Sequence, residues 1–270
     1  MYLCNLLVQK GFTCYLGRKA SINSLIKRSN YFIYLDKGYH QGVSELIYNS
    51  IKQRQGIIIN LDEEGGVDFA NNSTLLNRYS KNLMIYADHI FLWGVHQQNL
   101  LKKNITNKSQ ISVSGHPRFE LLNKKYSYLY KSNVESIKKQ HNNFILINTN
   151  MGFGNNIRGD EFVKTNYLSR IPNISKVIEF DKLKRDTIIE LSIMLSKHHN
   201  IIIRPHPEED EVYYKNIFAK YDNINIDKTG SVIPWIIASD IMIHPDCTTS
   251  IESLLLGKKA ISILPNNYNP

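Results

Sequence analysis

The chain has 270 residues, 42% of them hydrophobic, with 33 Lys and Arg against 24 Asp and Glu for a formal net charge of +9. That length supports one large or two ordinary domains with a real core, and no apolar run approaches the ~18–20 residues of a membrane span. The opening Met1–Lys10 holds neither a signal-peptide apolar region nor a cleavage site, so a cytoplasmic protein is expected.

In chain order, short apolar runs read as strands at Thr13–Leu16, Tyr31–Leu35, Gly56–Leu61, His89–Trp93, Ile111–Ser114, Phe144–Asn148, Ile201–Arg204, Ile224–Ile226, Ile241–His244 and Ala260–Leu264. Helical patterns lie between them, at Tyr2–Lys10, Ala20–Lys27, Val43–Gln53, Leu75–Tyr86, Val95–Lys103, Asp181–Lys197, Glu211–Tyr221, Ile233–Ala238 and Thr249–Leu256. Such alternation predicts an α/β protein with parallel sheets. Between Asn123 and Asn143 the chain turns polar and lysine-rich with no sheet-like alternation, which places a boundary near residue 138. The expected organisation is two Rossmann-like domains facing a cleft, over 1–138 and 139–270; this layout resembles the GT-B architecture, and that resemblance implies an acceptor-side first domain and a nucleotide-sugar donor-binding second one. The stretch Met151–Ser175 has weak patterning and reads as a long loop at that cleft.

The basic residues are scattered, with no aromatic-interleaved stripe and no helix-turn-helix or zinc pattern, so nucleic acid is not the expected partner. A solvated basic surface is the simplest reading, followed by attraction to anionic lipid or to a phosphate-bearing substrate. Cys4, Cys14 and Cys247 are odd in number and lack C-x-x-C spacing, so neither a disulfide framework nor a zinc site follows.

The polar turns that follow the strands carry the chemistry. Asp62, Glu63 and Glu64, followed by Gly65 and Gly66, come after the strand ending at Leu61. Carboxylates crowded at a strand's carboxyl end repel, one pKa rises, and a general base, acid or nucleophile results. The rival reading is a solvated acidic turn that caps a helix. His116 and Arg118 follow the strand ending at Ser114 and could meet a phosphate or carboxylate of the acceptor. Asn148 and Asn150, with glycines at 152 and 154, form a polar turn fit to line a donor site. Arg204, His206 and Pro207 form a stiffened turn whose imidazole can reach a phosphate or leaving group. His244 leads into Cys247, Thr248, Thr249 and Ser250, a run of small hydroxyl residues at a helix start, which suits a phosphate. Glu252 follows on that helix, as a ribose contact or a first-turn dipole residue. Trp235 reads as core rather than a base-stacking platform. No H-E-x-x-H or related spacing calls for a metal.

Taken together, the stretches Leu61–Gly65, Gly115–Phe119, Asn148–Asn150, Arg204–Pro207, Gly230–Ile236, Cys247–Thr249 and Leu255–Lys259 resemble the bacterial surface carbohydrate biosynthesis proteins, in order and over most of the chain. The wider kinship resembles GT-B enzymes that use CMP-linked acidic sugars, the bacterial sialyltransferases and Kdo transferases. That resemblance implies Glu64 as the catalytic acid of a Glu63-Glu64-Gly65 motif, His206 and Pro207 as the CMP contacts, and Thr248 and Thr249 as holders of the donor's phosphate or carboxylate. It also implies a glycosyltransferase needing no cofactor beyond its nucleotide-sugar donor, with a glycan or lipid-linked glycan as acceptor. The setting implied is capsule or lipopolysaccharide synthesis, in the cytoplasm or peripheral to the inner membrane. Relative to that family the chain is expected to lack the first strand and the C-terminal closing helices. A CDP-glycerol-type polyol-phosphate transferase with similar His-Pro and hydroxyl turns is the first alternative, and an inactive, truncated binding subunit of a capsule assembly system the second. A nucleotide-sugar epimerase is a minor option. Inverting and retaining outcomes both stay open.

Overall fold

In the computed structural model, the described residues are 2–63, 71–101, 111–169 and 171–265. They divide into two compact units, Met1–Leu121 and Leu122–Pro270.

The first unit runs α1 (Tyr2–Gln9), α2 (Lys19–Ile26), β1 (Ile33–Asp36), α3 (Ser44–Gln53), β2 (Ile57–Leu61), α4 (Ser73–Arg78), α5 (Lys81–Tyr86), β3 (His89–Leu92), α6 (Val95–Leu101), β4 (Ile111–Val113) and α7 (Pro117–Glu120). Its four strands pair in parallel in the order β1-β2-β3-β4. Right-handed crossovers that step one way along a sheet put their helices on one face. That face is the core: Ile58, Ile90 and Leu92 pack with Tyr48 and Ile51 of α3 and Leu83 of α5. On the other face, Ile33 and Leu35 of β1 and Ile57 of β2 stand exposed.

The second unit begins with a 3-10 helix over Lys124–Leu129. It then runs α8 (Lys131–His141), β5 (Ile145–Asn148), α9 (Asp160–Tyr167), α10 (Ile174–Ser196), β6 (Ile201–Arg204), α11 (Glu211–Ile217), β7 (Ile224–Ile226), α12 (Val232–Ala238), β8 (Ile241–His244), α13 (Thr249–Leu255) and β9 (Ala260–Ser262). The sheet is parallel, in the order β7-β6-β5-β8-β9. β5 and β6 are buried at every residue, because helices cover both faces. Ile188 of α10 and Tyr214 of α11 close one side; Ile137 of α8 and Trp235 and Ile236 of α12 close the other. The chain leaves β5 toward β6 on one side and returns to β8 on the other. Doubly wound sheets bind ligands in the crevice at such a reversal, which here falls at the carboxyl ends of β5 and β8.

The α/β class and the parallel sheets are as the sequence predicts, with differences in detail. Thr13–Leu16 forms no strand; it has no ladder partner among the described residues. The helix expected over Leu75–Tyr86 is two helices, since Tyr79 leaves helical geometry and Ser80 is extended. The stretch around 138 is not a linker: α8 buries Ile137 in the core beside Trp235, so the division between units falls after Leu121. Met151–Ser175 is likewise not one long loop. It contains α9 and the start of α10, joined by a small core of Val163, Ile174 and Ile178.

Candidate nucleotide site and the acidic turn

In the second unit, the turns after β5, β6 and β8 are bound to one another. Glu209 is the hub of the first two. Its side chain is 0% exposed, and its Oε1 accepts from the Thr149 hydroxyl (2.7 Å), the Met151 amide (2.9 Å) and the His206 amide (3.2 Å). Its Oε2 accepts from the Tyr214 hydroxyl. A carboxylate with this many donors is a fixed strut. It holds the backbone at His206 against the β5 turn, while the His206 Nδ1 accepts from the Glu208 amide. Gly154 completes the packing: a Cβ there would lie 2.6 Å from the Lys182 amide nitrogen, so only glycine lets this loop lie on α10.

The β5 and β8 turns meet through Asn148, whose Nδ2 donates to Thr249 Oγ1 at 2.9 Å. The Thr249 hydroxyl in turn donates to Cys247 Sγ at 3.1 Å. Asn150 Nδ2 reaches Asp246 at 3.3 Å, and Lys184 of α10 donates to the other oxygen of Asp246 at 2.8 Å. His244 is buried, its Nδ1 accepting from the Cys247 amide at 3.2 Å, which leaves the proton of the neutral ring on Nε2. Burial holds its pKa below the ordinary histidine value. Burial likewise pushes the Cys247 thiol up, away from nucleophilic character. The hydroxyls of Thr248 and Ser250 meet no hydrogen-bond partner among the described residues. Asn148, Asn150, His244, Thr248, Thr249 and Ser250 therefore do come together at the crevice. Glu252 is buried on α13.

Arg204 and Pro207 play other parts. The Arg204 guanidinium is buried, donates to the carbonyls of Asp227 (3.0 Å) and Gly230 (3.2 Å), and lies 4.9 Å from the Trp235 ring centre. It ties β6 to the turn after β7. Trp235 is core, as its sequence context suggests. Pro207 is exposed in the turn it stiffens.

In the first unit, Asp62 is buried in an ion pair with Arg78: Nε donates to Oδ2 at 2.7 Å and a terminal nitrogen donates to Oδ1. Trp93 Nε1 donates to the Asp62 carbonyl at 2.6 Å. Glu63, with a half-exposed side chain, lies 3.7 Å from Lys37. Glu64, with the glycines after it, lies outside the described residues. After β4, Gly115 takes a left-handed φ of +74° and turns the chain into α7, where His116 is the N-cap and its Nδ1 accepts from the Arg118 amide at 3.1 Å. Its Nε2 is buried and meets no hydrogen-bond partner among the described residues, and the ring packs against Trp93. Burial lowers its pKa against the opposing pull of Glu63. Arg118 is exposed.

Sequence reading missed Glu209 and Lys184. The first stands in the motif as one of two adjacent glutamates, and only its complete burial among hydrogen-bond donors, which the sequence does not reveal, sets it apart. Lys184 reads as surface charge. The one available signal was Asp181 three residues before it, on the stripe of α10 that carries Ile178 and Ile188.

No family model matches this sequence, and no curated protein matches it. Solved structures do. UDP-GlcNAc 2-epimerase from Neisseria meningitidis, bound to UDP-GlcNAc, superposes with a TM-score of 0.55 at 14% identity over 90% of this chain and 62% of that one. The enzyme of the same name from Methanocaldococcus jannaschii gives 0.54 at 11% identity, over 92% and 67%. UDP-N-acetylglucosamine 2-epimerase from Rickettsia bellii gives 0.54 at 13%, over 89% and 58%. The likeness is one of fold, of the GT-B-like Rossmann type, and this chain spans 58 to 67% of the length of those proteins. No helix among the described residues is long and apolar enough to cross a membrane.

Proposed function

We propose that this chain is an enzyme of bacterial surface-carbohydrate synthesis that takes a nucleotide-activated sugar at the crevice of its second unit. One observation carries the reading. The switch point between β5 and β8 gathers Asn148, Asn150, His244, Thr248 and Ser250 around ends of strands that are themselves fully fixed. The His244 Nε2 proton and the two hydroxyls supply donors to an anionic or polar ligand. More finely, the reaction is transfer of a CMP-activated acidic sugar, of the Kdo or sialic acid kind, to a glycan or lipid-linked acceptor. The motif resemblance supports this. Charge developing on the departing CMP phosphate would be met by fixed donors. Glu64 would act as base on the acceptor hydroxyl in an inverting reaction, or as nucleophile or acid/base in a retaining one.

A thermal-shift series with CMP, CDP, UDP and GDP tests the reading. Ligand at a hundredfold excess over Kd stabilises by about 2.7 kcal/mol. CMP and CDP are expected to raise the melting temperature most. CDP outranking CMP would favour the polyol-phosphate transferase. UDP outranking both would overturn the cytidine donor and favour the epimerase chemistry named for the fold neighbours. No shift with any of the four would overturn the nucleotide reading.

A further inference from the structure

The stripe of α10 that faces inward carries Ile174, Ile178, Ile188 and, between them, Asp181 and Lys184. Lys184 is 4% exposed, yet its ammonium meets two carboxylates, Asp181 at 2.9 Å and Asp246 at 2.8 Å. Burial works against its charge, but the hydrogen bonds and attraction of the two carboxylates outweigh that and its pKa ends above the ordinary lysine value.

The two carboxylates are not equivalent. Asp181 is buried and also accepts from the Phe153 amide at 3.0 Å, so it is fixed and alone neutralises the cation. Asp246 has a side chain 41% exposed, sits in the β8 turn two residues before Thr248, and among the described residues is otherwise held only by Asn150. One ammonium with two carboxylates leaves the cluster at −1, and the second carboxylate is unnecessary for burying the first pair. It does occupy a strong donor at the crevice. Nearby, Asn148 Oδ1 is buried and meets no hydrogen donor among the described residues, which leaves an acceptor for a donor group such as a hydroxyl or amine of a ligand and not for its phosphate.

We infer that Asp246 competes with a ligand's phosphate group for the ammonium of Lys184. A phosphate oxygen then replaces the carboxylate on a buried ammonium, and Asp246 turns to solvent. This rests on the nucleotide reading above and adds to it the residue that supplies the positive charge and the residue that competes for it.

Calorimetric titration of the chain with CMP, UDP, inorganic pyrophosphate and the phosphate-free nucleosides tests this on Asp246→Asn, Lys184→Met and the unaltered protein. Asp246→Asn should bind the phosphate-bearing ligands about tenfold more tightly, since a charge-assisted competitor is removed. Lys184→Met should bind them at least about tenfold more weakly, and nucleoside affinity should not change in either. Opposite signs are the signature; a purely structural salt bridge would move both variants the same way. If Lys184→Met does not fold, Asp246→Asn still decides, because it leaves the Lys184–Asp181 pair intact. Unchanged or weaker binding of every phosphate ligand by Asp246→Asn would overturn the inference. Tighter pyrophosphate with no nucleotide binding would keep it and sink the nucleotide reading instead.

Discussion

In the second unit the polar residues beyond β5, β6 and β8 bind one another, through Glu209, Asn148 and Asp246. In the first unit each described carboxylate of the turn beyond β2 answers to its own cation, Asp62 to Arg78 and Glu63 to Lys37. The sheets differ in the same sense. β5 and β6 are sealed on both faces, whereas β1 and β2 bury one face and leave Ile33, Leu35 and Ile57 exposed. A sheet fixed on both sides can hold its turns in one register, and a shared hydrogen-bond network then presents a rigid, preformed set of donors. In the first unit the turns are tied by fewer such bonds: Glu63 reaches Lys37 beyond β1, and Trp93 beyond β3 donates to the Asp62 carbonyl. On the proposed function, a rigid set of donors of this kind suits an invariant group such as a phosphate.

The contrast is most directly broken at Glu209. Glu209→Ala would strand the Thr149 and Tyr214 hydroxyls and the Met151 amide, while the His206 amide keeps Thr149 Oγ1 as its acceptor at 3.2 Å. At about 1–3 kcal/mol for each buried unsatisfied group, the loss should reach about 3 kcal/mol or more. Hydrogen exchange should show protection falling across β5 and β6 while β2 and β3 keep theirs. Equal loss in both units would mean that they unfold as one body and that the comparison has no energetic content.

The matching test in the first unit is Arg78→Ala. It leaves Asp62 buried and uncompensated, a loss of about 3 kcal/mol, the low end for breaking a buried pair. Here exchange should quicken in β2 and β3, and nucleotide affinity in the second unit should be unchanged.

Acid should act more on the second unit. Burial holds His141 and His244 below the ordinary histidine pKa there, and His116 in the first unit. These rings are neutral when folded and take up a proton more readily when unfolded. Their contribution is therefore complete above about pH 6.5 and lost as pH falls from there through the folded values. Melting temperatures at pH 7.5 and 5.5 should differ less for His244→Gln than for the unaltered chain. An identical difference would mean that His244 is not held neutral.

What was legible in the sequence follows the same divide. Ile145–Asn148 and Ile201–Arg204 are near-continuous apolar runs, as strands buried on both faces must be, and their ends were placed almost to the residue. Thr13–Leu16 has the same local character but finds no partner strand, and pairing is non-local information. The lysine-rich α8 hid because a single buried residue, Ile137, anchors it. At the site, residue types in turns were readable, since turns after parallel strands converge at one sheet edge. Which of them are already occupied was not. Arg204 and Asp62 look like ligand groups in sequence and are internal partners in space, because carbonyl acceptors and a cation sixteen residues away leave no trace in a local motif.

The smallest effect should separate two adjacent hydroxyls. Thr248 is exposed and its hydroxyl has no partner among the described residues, whereas Thr249 Oγ1 accepts from Asn148 and donates to Cys247 Sγ. Thr248→Val removes only a donor facing the crevice, so it should leave the melting temperature in place and weaken nucleotide binding about fivefold, the scale of one ordinary hydrogen bond. Thr249→Val instead removes the oxygen acceptor of a buried amide. It should lower stability by about 1–2 kcal/mol, with Thr249→Ser restoring most of it, and weaken binding only through displacement of Asn148. Were Thr249→Val to weaken binding at unchanged melting temperature while Thr248→Val did nothing, the Asn148–Thr249 bond would not be made in solution. The second unit would then present loose donors like the first, and the distinction drawn between them would fail where it is finest.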